Sequence, residues 1–77
     1  MAYRLRELAP GSYDVVLDGI IIAGLVRSVL PDSERWTAEL LVTVPVRDMP
    51  APFTAPEHEF ATLEDACRWL GMAEPIR

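Results

Sequence analysis

The chain has 77 residues, of which 51% are hydrophobic and 25% charged; this composition fits one folded domain and excludes a disordered chain or a multidomain enzyme. A domain of this size buries only about 60% of the surface of its unfolded chain, which leaves little room for a deep substrate pocket. Seven basic residues against twelve acidic ones give a net charge of −5, which opposes binding to nucleic-acid phosphates and anionic lipid.

The first part of the chain predicts three antiparallel strands. Alternating apolar and charged residues indicate a strand over residues 3–8, and Pro10-Gly11 marks a turn. A second strand is predicted over residues 12–17, followed by Asp18-Gly19, which is the strongest short hairpin signal. The β-branched segment 20–29 favours a third strand over a helix, and Gly24 indicates a bulge in it.

A fourth strand and a proline-rich loop follow. Residues 35–44 alternate clearly, so that Trp36, Ala38 and Leu40 share one face, and Val42 and Val44 continue it. Four prolines within residues 45–56 exclude a central strand or a helix there, which predicts a long loop across one end of the sheet. Residues 57–60 form a possible edge strand.

The C-terminal part predicts one helix over residues 62–71. Thr62 is a suitable N-cap, and the spacing of Leu63, Ala66, Cys67 and Leu70 gives one apolar stripe. Glycine at position 71 favours the end of the helix, and residues 72–77 are expected to fray.

We therefore expect a single α+β domain, with a three- to four-stranded antiparallel sheet packed on one face by a single C-terminal helix. The helix stripe is expected to cover one sheet face, which carries Tyr13, Val15, Leu17, Trp36, Ala38 and Leu40. Trp69 lies one residue off the stripe and either completes the edge of the core or anchors a partner.

Residues 60–66, Phe-Ala-Thr-Leu-Glu-Asp-Ala, resemble the start of the helix in HicB-type antitoxins, which have a partial ribonuclease-H-like fold. Together with Trp-Thr-Ala-Glu at positions 36–39, the same segment is similar to the three-stranded DNA-binding domains of ethylene-response factors and of integrase arm-binding proteins. These resemblances cover about a third of the chain and imply a sheet backed by a helix. No functional residue is carried over from either group.

No catalytic, metal-binding or cofactor site is expected. His58 lies between Glu57 and Glu59, a pattern that suggests a metal ligand or a general base. A metal site needs at least three ligands, and a catalytic histidine needs a nucleophile and an orienting group. The alternative to such a site is an exposed histidine on an edge strand. The single cysteine, Cys67, lies on the apolar stripe and is expected to be a core residue rather than a nucleophile. The chain is therefore predicted not to be an enzyme.

The second sheet face is the predicted site of partner binding. One helix cannot cover both faces, and the alternation leaves six apolar side chains on the uncovered face; they are Leu8, Val16, Ile21, Ala23, Leu25 and Leu41. A second copy of the chain or another protein would bury them, which predicts a protein-interaction or homodimerising module. The alternative is that a register slip or a bulge at Gly24 places several of them inside.

The same face suggests a second, less favoured role. Arg4, Arg6 and Arg27 are expected on it, and arginines on a twisted sheet could follow a nucleic-acid backbone, as in an antitoxin-like regulator. The alternative is cross-strand pairing of these arginines with acidic residues.

The arginine-, alanine- and proline-rich composition is typical of a GC-rich bacterial genome. No apolar segment approaches the ~18 residues of a membrane span, and no signal peptide is evident. A single cysteine cannot form an internal disulfide, which fits a reducing compartment. A cytoplasmic location is therefore expected.

Overall fold

One five-stranded antiparallel sheet and a C-terminal helix make up the fold in the computed structural model, which describes residues 3–31 and 33–72. The elements in chain order are β1 (Tyr3–Ala9), β2 (Ser12–Leu17), β3 (Ile20–Val29), β4 (Glu34–Leu40), a 3-10 turn (Val46–Asp48), β5 (Glu57–Phe60) and α1 (Leu63–Trp69). The strands lie side by side in sequence order, which places β3 in the middle. The predicted α+β class is confirmed, but the sheet has five strands rather than three to four, because residues 57–60 pair fully with β4.

The hairpin between β2 and β3 forms at the predicted Asp-Gly pair. Asp18 and Gly19 both have positive φ angles, of 51° and 83°, as a tight two-residue turn between right-twisted strands requires. The turn sets Leu17 opposite Ile20 and Val16 opposite Ile21.

A β-bulge at Ile22 then changes the facing of the rest of β3. Val15 pairs with Ala23 instead of with Ile22, so one residue of β3 has no partner. Because side chains alternate with a period of two, the extra residue turns Ala23 and Leu25 onto the covered face. Both are fully buried there. Their predicted place on the uncovered face is therefore wrong, and the bulge lies at Ile22 rather than at Gly24.

The fourth strand is shorter than predicted and ends at Leu40 instead of Val44. The Leu41 amide still donates to the Ile22 carbonyl, at 2.9 Å, but this contact lies at the bulge, where β3 bends. Beyond it β4 has no further paired residue, so Val42, expected on the core face, is half exposed.

The helix begins and ends with the predicted caps. The Asp65 amide donates to the Thr62 hydroxyl at 3.0 Å, which satisfies one free N–H of the first turn. At the other end Gly71 has a φ of 82°, its amide donates to the Arg68 carbonyl, and the Met72 amide donates to the Cys67 carbonyl. This pair of bonds is a Schellman motif, which only a residue in the left-handed region permits.

The core lies between one sheet face and a cover with two parts. The helix lies over β4 and β5 and buries Ala66, Cys67 and Leu70. The proline-rich loop reaches β1, where the Tyr3 hydroxyl donates to the Ala51 carbonyl at 2.8 Å. From this loop Phe53 enters the core and is 3% exposed.

All six residues predicted to line the covered sheet face are buried; they are Tyr13, Val15, Leu17, Trp36, Ala38 and Leu40. Within the described residues, no helix has the length and apolar character needed to cross a bilayer. The predicted tail beyond Met72 lies outside the described residues.

Candidate interaction surface

The sheet face opposite the helix, here called the open face, has no element of the described chain over it. Cross-strand pairing arranges its side chains in rows across the sheet. One row, over the first three strands, sets Arg4 beside Val16 and Val16 beside Ile21. Another row carries Val26 of β3, Ser12 of β2 and Ala9 of β1, whereas Leu8 has no partner because the pairing of β1 with β2 shifts between Glu7 and Ala9. Apolar side chains therefore lie on both sides of the centre of this face.

The apolar side chains that the pairing places on this face form what we call the apolar patch: Val16, Ile21 and Val26. Ile21 and Val26, both on the middle strand, are 40% and 48% exposed. Leu8 and Leu41 are more exposed still, and Val16 is half-buried between its neighbours. Of the six predicted interface residues, Val16 and Ile21 thus lie on the open face, Leu8 and Leu41 are exposed but have no cross-strand partner, and Ala23 and Leu25 belong to the core.

Val26 is an interface candidate that the sequence pattern missed. Strict alternation from Ile20 would place it on the covered face, and only the bulge at Ile22 turns it outward. The three consecutive isoleucines conceal this change, because whichever of them is the extra residue, the segment remains uniformly apolar. Gly24 indicates a bulge in this strand, but it lies two residues after Ile22, where the bulge occurs.

The row between the two apolar rows is charged and contains Arg6, Asp14, Gly24, Glu39 and Glu57, in that order across the sheet. Arg6 and Asp14 form an ion pair of 2.6 Å between the Arg6 guanidinium and the Asp14 carboxylate. At the opposite edge Glu39 and Glu57 are direct cross-strand neighbours with like charge. Gly24, on the middle strand, has no side chain, and a Cβ built there would meet no atom within 4 Å.

Charges of opposite sign therefore concentrate at opposite edges of the open face. The half formed by β1 and β2 carries Arg4 and Arg6 against one acidic residue, Asp14. The half formed by β4 and β5 carries three glutamates against one arginine; these are Glu39, Glu57, Glu59 and Arg35. A hydrogen bond with Glu39 and repulsion from it raise the pKa of the Glu57 carboxyl.

The third predicted arginine does not join the other two. Arg27 pairs across the strands with Trp36, so its side chain lies on the covered side of the sheet, at the margin of the core. There it contacts Glu34, with 3.6 Å between the guanidinium and the carboxylate. The bulge at Ile22 is the cause, as it is for Ala23 and Leu25. The predicted cluster of three arginines on one face is therefore wrong, and the two that remain share their face with Asp14 and three glutamates.

His58 lies in an aromatic cluster rather than at a solvent-facing edge. Its ring centroid is 4.6 Å from that of Trp69 and 5.8 Å from that of Phe53, and Phe60 completes the cluster at 5.0 Å from Trp69. The His58 Nε2 atom accepts a hydrogen bond of 3.2 Å from the Thr54 amide. The histidine thus joins the end of the proline-rich loop to β5 and α1. Trp69 is half-buried and packs against the core.

Cys67 is fully buried under the helix, and burial raises the pKa of its thiol, which keeps the side chain in its neutral and unreactive form. Over residues 3–31 and 33–72, no group of three or more His, Cys, Asp or Glu side chains could hold a metal ion.

No protein-family model, curated protein or solved structure matches the chain significantly. The resemblances to HicB-type antitoxins and to the integrase and ethylene-response-factor domains therefore stay predictions. The open face and its apolar patch carry the functional argument.

Proposed function

We propose that the chain is a non-catalytic protein-interaction module whose open face binds another folded protein surface. The observation that carries this proposal is the exposure of Ile21 and Val26 on the middle strand of a sheet face that no described element covers. Middle strands are ordinarily the most protected part of a sheet, and contiguous apolar surface at such a position is typical of an interface.

The open face combines apolar and charged side chains. Val16, Ile21 and Val26 lie on either side of a charged row, in which Asp14 and Glu39 flank Gly24. Five strands of about seven residues, spaced about 4.8 Å apart with a rise of about 3.3 Å per residue, present about 550 Å² on one face. Burial of this face against a similar one removes about 1,100 Å² from water, which is just above the minimum of about 1,000 Å² for a specific interface.

We propose the cytoplasm as the compartment, since the only cysteine has no second cysteine in the chain to pair with.

The test is site-specific photocrosslinking in cells that naturally produce the chain. A photoreactive benzoylphenylalanine replaces Val26 in one variant and Glu64 in a control, since Glu64 is exposed on the helix side of the molecule. We expect discrete protein adducts from position 26 that are absent from position 64 and that disappear when Ile21→Asp is added. No adduct at position 26, or the same adducts from both positions, would refute the proposed role.

A further inference from the structure

We infer that the outer edge of β5 binds an extended segment of another protein, in which basic residues alternate with apolar ones, as an added strand of the sheet. This surface, here called the β5 edge, consists of the outward backbone groups of Glu57–Phe60 and the side chains beside them. It is recognised by main-chain hydrogen bonds, so the inference goes beyond the proposed function and does not depend on it. Three features support it: free backbone groups, acidic side chains on one side of the strand, and aromatic ones on the other.

The hydrogen bonds to β4 show which backbone groups of β5 are free. The Leu40 amide of β4 donates to the Pro56 carbonyl at 2.9 Å. Because bonded and non-bonded pairs alternate along an antiparallel ladder, His58, two residues on, also directs its N–H and C=O groups to β4. The N–H and C=O groups of Glu57 and Glu59 therefore point outward, and no backbone group within residues 3–31 and 33–72 pairs with them there.

The β5 edge is accessible, whereas the first half of β1, at the other edge of the sheet, is covered. Glu57 and Glu59 are both exposed. On β1, Tyr3 and Leu5 are only 8% and 3% exposed as whole residues, so little of their backbone is in contact with solvent. A strand can be added only where a partner reaches unpaired backbone groups, and β5 provides such groups.

The side chains on the open-face side of the β5 edge are acidic. Glu57 and Glu59 lie on this side, and Glu39 is directly opposite Glu57 on β4. Like charges directly opposite each other destabilise a sheet, and none of the ion pairs formed within the described part of the chain includes these three glutamates. Arginine or lysine at every second position of an added strand would lie beside Glu57 and Glu59, so the two strands have complementary charge.

The side chains on the covered side of the β5 edge are aromatic and only half-buried. His58 and Phe60 lie on this side, and Trp69 of the helix packs against both, with ring-centroid distances of 4.6 and 5.0 Å. Because no described strand lies beyond β5, an added strand would be the direct neighbour of His58 and Phe60. Apolar side chains at its intervening positions would pack against these rings, as cross-strand neighbours do.

The two sides together define the partner. Side chains of a strand alternate between its two sides, so a segment with basic residues at every second position and apolar ones between them fits both. This chain has such an alternation over residues 3–6, Tyr-Arg-Leu-Arg, but that segment is already paired with β2 and covered at its outer edge. The β5 strand of a second copy would set glutamate beside glutamate. The partner segment therefore belongs to another protein.

Fluorescence anisotropy with a short, labelled and terminally blocked peptide of alternating arginine and valine tests the inference on the purified full-length chain. We expect saturable binding. A peptide of the same composition with all arginines before all valines is expected to bind at least about tenfold more weakly, because it cannot match both sides of the edge. Glu59→Arg is expected to weaken the binding of the alternating peptide at least about tenfold. Glu64→Arg makes the same charge change at an exposed position of the helix and is expected to bind like the wild type.

Backbone methylation of the peptide is the decisive measurement, since it leaves the protein unaltered. All neighbouring strands of the sheet are antiparallel, and an antiparallel addition with arginines beside the glutamates directs the arginine amides to β5. Methylation of the arginine amides is therefore expected to abolish binding, and methylation of the valine amides to preserve it. Amide hydrogen exchange of the chain gives a second readout, because the peptide is expected to slow exchange at Glu57 and Glu59, whereas His58 is already protected without it.

The outcomes separate this inference from the proposed function. Absence of saturable binding overturns the inference, and the photocrosslinks from position 26 remain an independent test of the open face. Equal binding of the alternating and block peptides, or equal effects of the two methylation patterns, would show attraction between net charges alone and would also overturn it. Binding that is lost in Ile21→Asp but unaffected by Glu59→Arg would place the peptide on the open face instead of at the β5 edge.

Discussion

Phe53 tests whether the proline-rich loop is part of the core. The residue comes from a loop without regular strands, yet it is 3% exposed and packs between Tyr3, His58 and Trp69. The Trp69 ring centroid is 4.8 Å away in an edge-to-face geometry, which adds to the benefit of burial. Replacement of a buried phenylalanine by alanine costs about 3–5 kcal/mol, since apolar contact is lost and a cavity remains.

We expect Phe53→Ala to lower the free energy of unfolding by about 3 kcal/mol, at the lower end of that range because the loop can partly collapse into the space. A chain of this length has a total stability of about 4–12 kcal/mol, so the loss is a large fraction of it. With a urea m-value of about 1 kcal/mol per molar, the midpoint falls by about 3 M.

Urea unfolding followed by tryptophan fluorescence measures this effect, and Val46→Ala in the same loop is the matched control. Val46 is 62% exposed, so its truncation is expected to change the stability by less than about 0.5 kcal/mol. A loss below about 1 kcal/mol for Phe53→Ala would mean that the loop lies on the core without stabilising it, and the description of a two-part cover would be wrong.

Three further predictions concern the helix cap, the acidic edge and the cysteine. Thr62→Ala removes the acceptor of the Asp65 amide and is expected to cost about 1 kcal/mol, seen as a fall in melting temperature of about 4–8 °C, whereas Thr62→Ser keeps the cap. The raised pKa of Glu57 means that its carboxyl binds a proton more tightly in the folded chain than in the unfolded chain, so protonation of Glu57 stabilises the fold at low pH and this contribution is lost as the pH rises through the carboxyl range. We expect Glu39→Gln to remove that part of the pH dependence of stability, measured by urea titrations at a series of pH values. An unchanged pH profile would contradict the assignment of the shift to Glu39. Cys67 is expected to react with a disulfide reagent at neutral pH only as the chain unfolds, so rapid labelling under native conditions would show that the helix does not cover it.

The features predictable from the sequence are those with a local cause. The Asp18-Gly19 turn has residues that accept positive φ, and the Thr62 cap and Gly71 end mark the helix by their own backbone chemistry. The alternation around Trp36 identifies the covered face of β4 because polar and apolar side chains differ at every step.

The features that were not predictable depend on contacts between distant segments. A lone phenylalanine among prolines has no periodicity, so nothing in residues 45–56 indicates that Phe53 enters the core. Gly24 indicates a bulge in β3, but its position at Ile22 is not evident from the sequence, since the choice of the extra residue depends on how β2 and β4 fit against β3. This one extra residue places Ala23, Leu25 and Arg27 on the face opposite to the predicted one.

That single extra residue also links the core to the proposed interface. Without it, Ile22, Gly24 and Val26 would point to the covered face, and Ala23 and Leu25 would point to the open face. With it, Ala23 and Leu25 are fully buried in the core, and Gly24 lies between Ile21 and Val26 on the open face. The same local irregularity thus determines which side chains of the middle strand enter the core and which remain available to a partner.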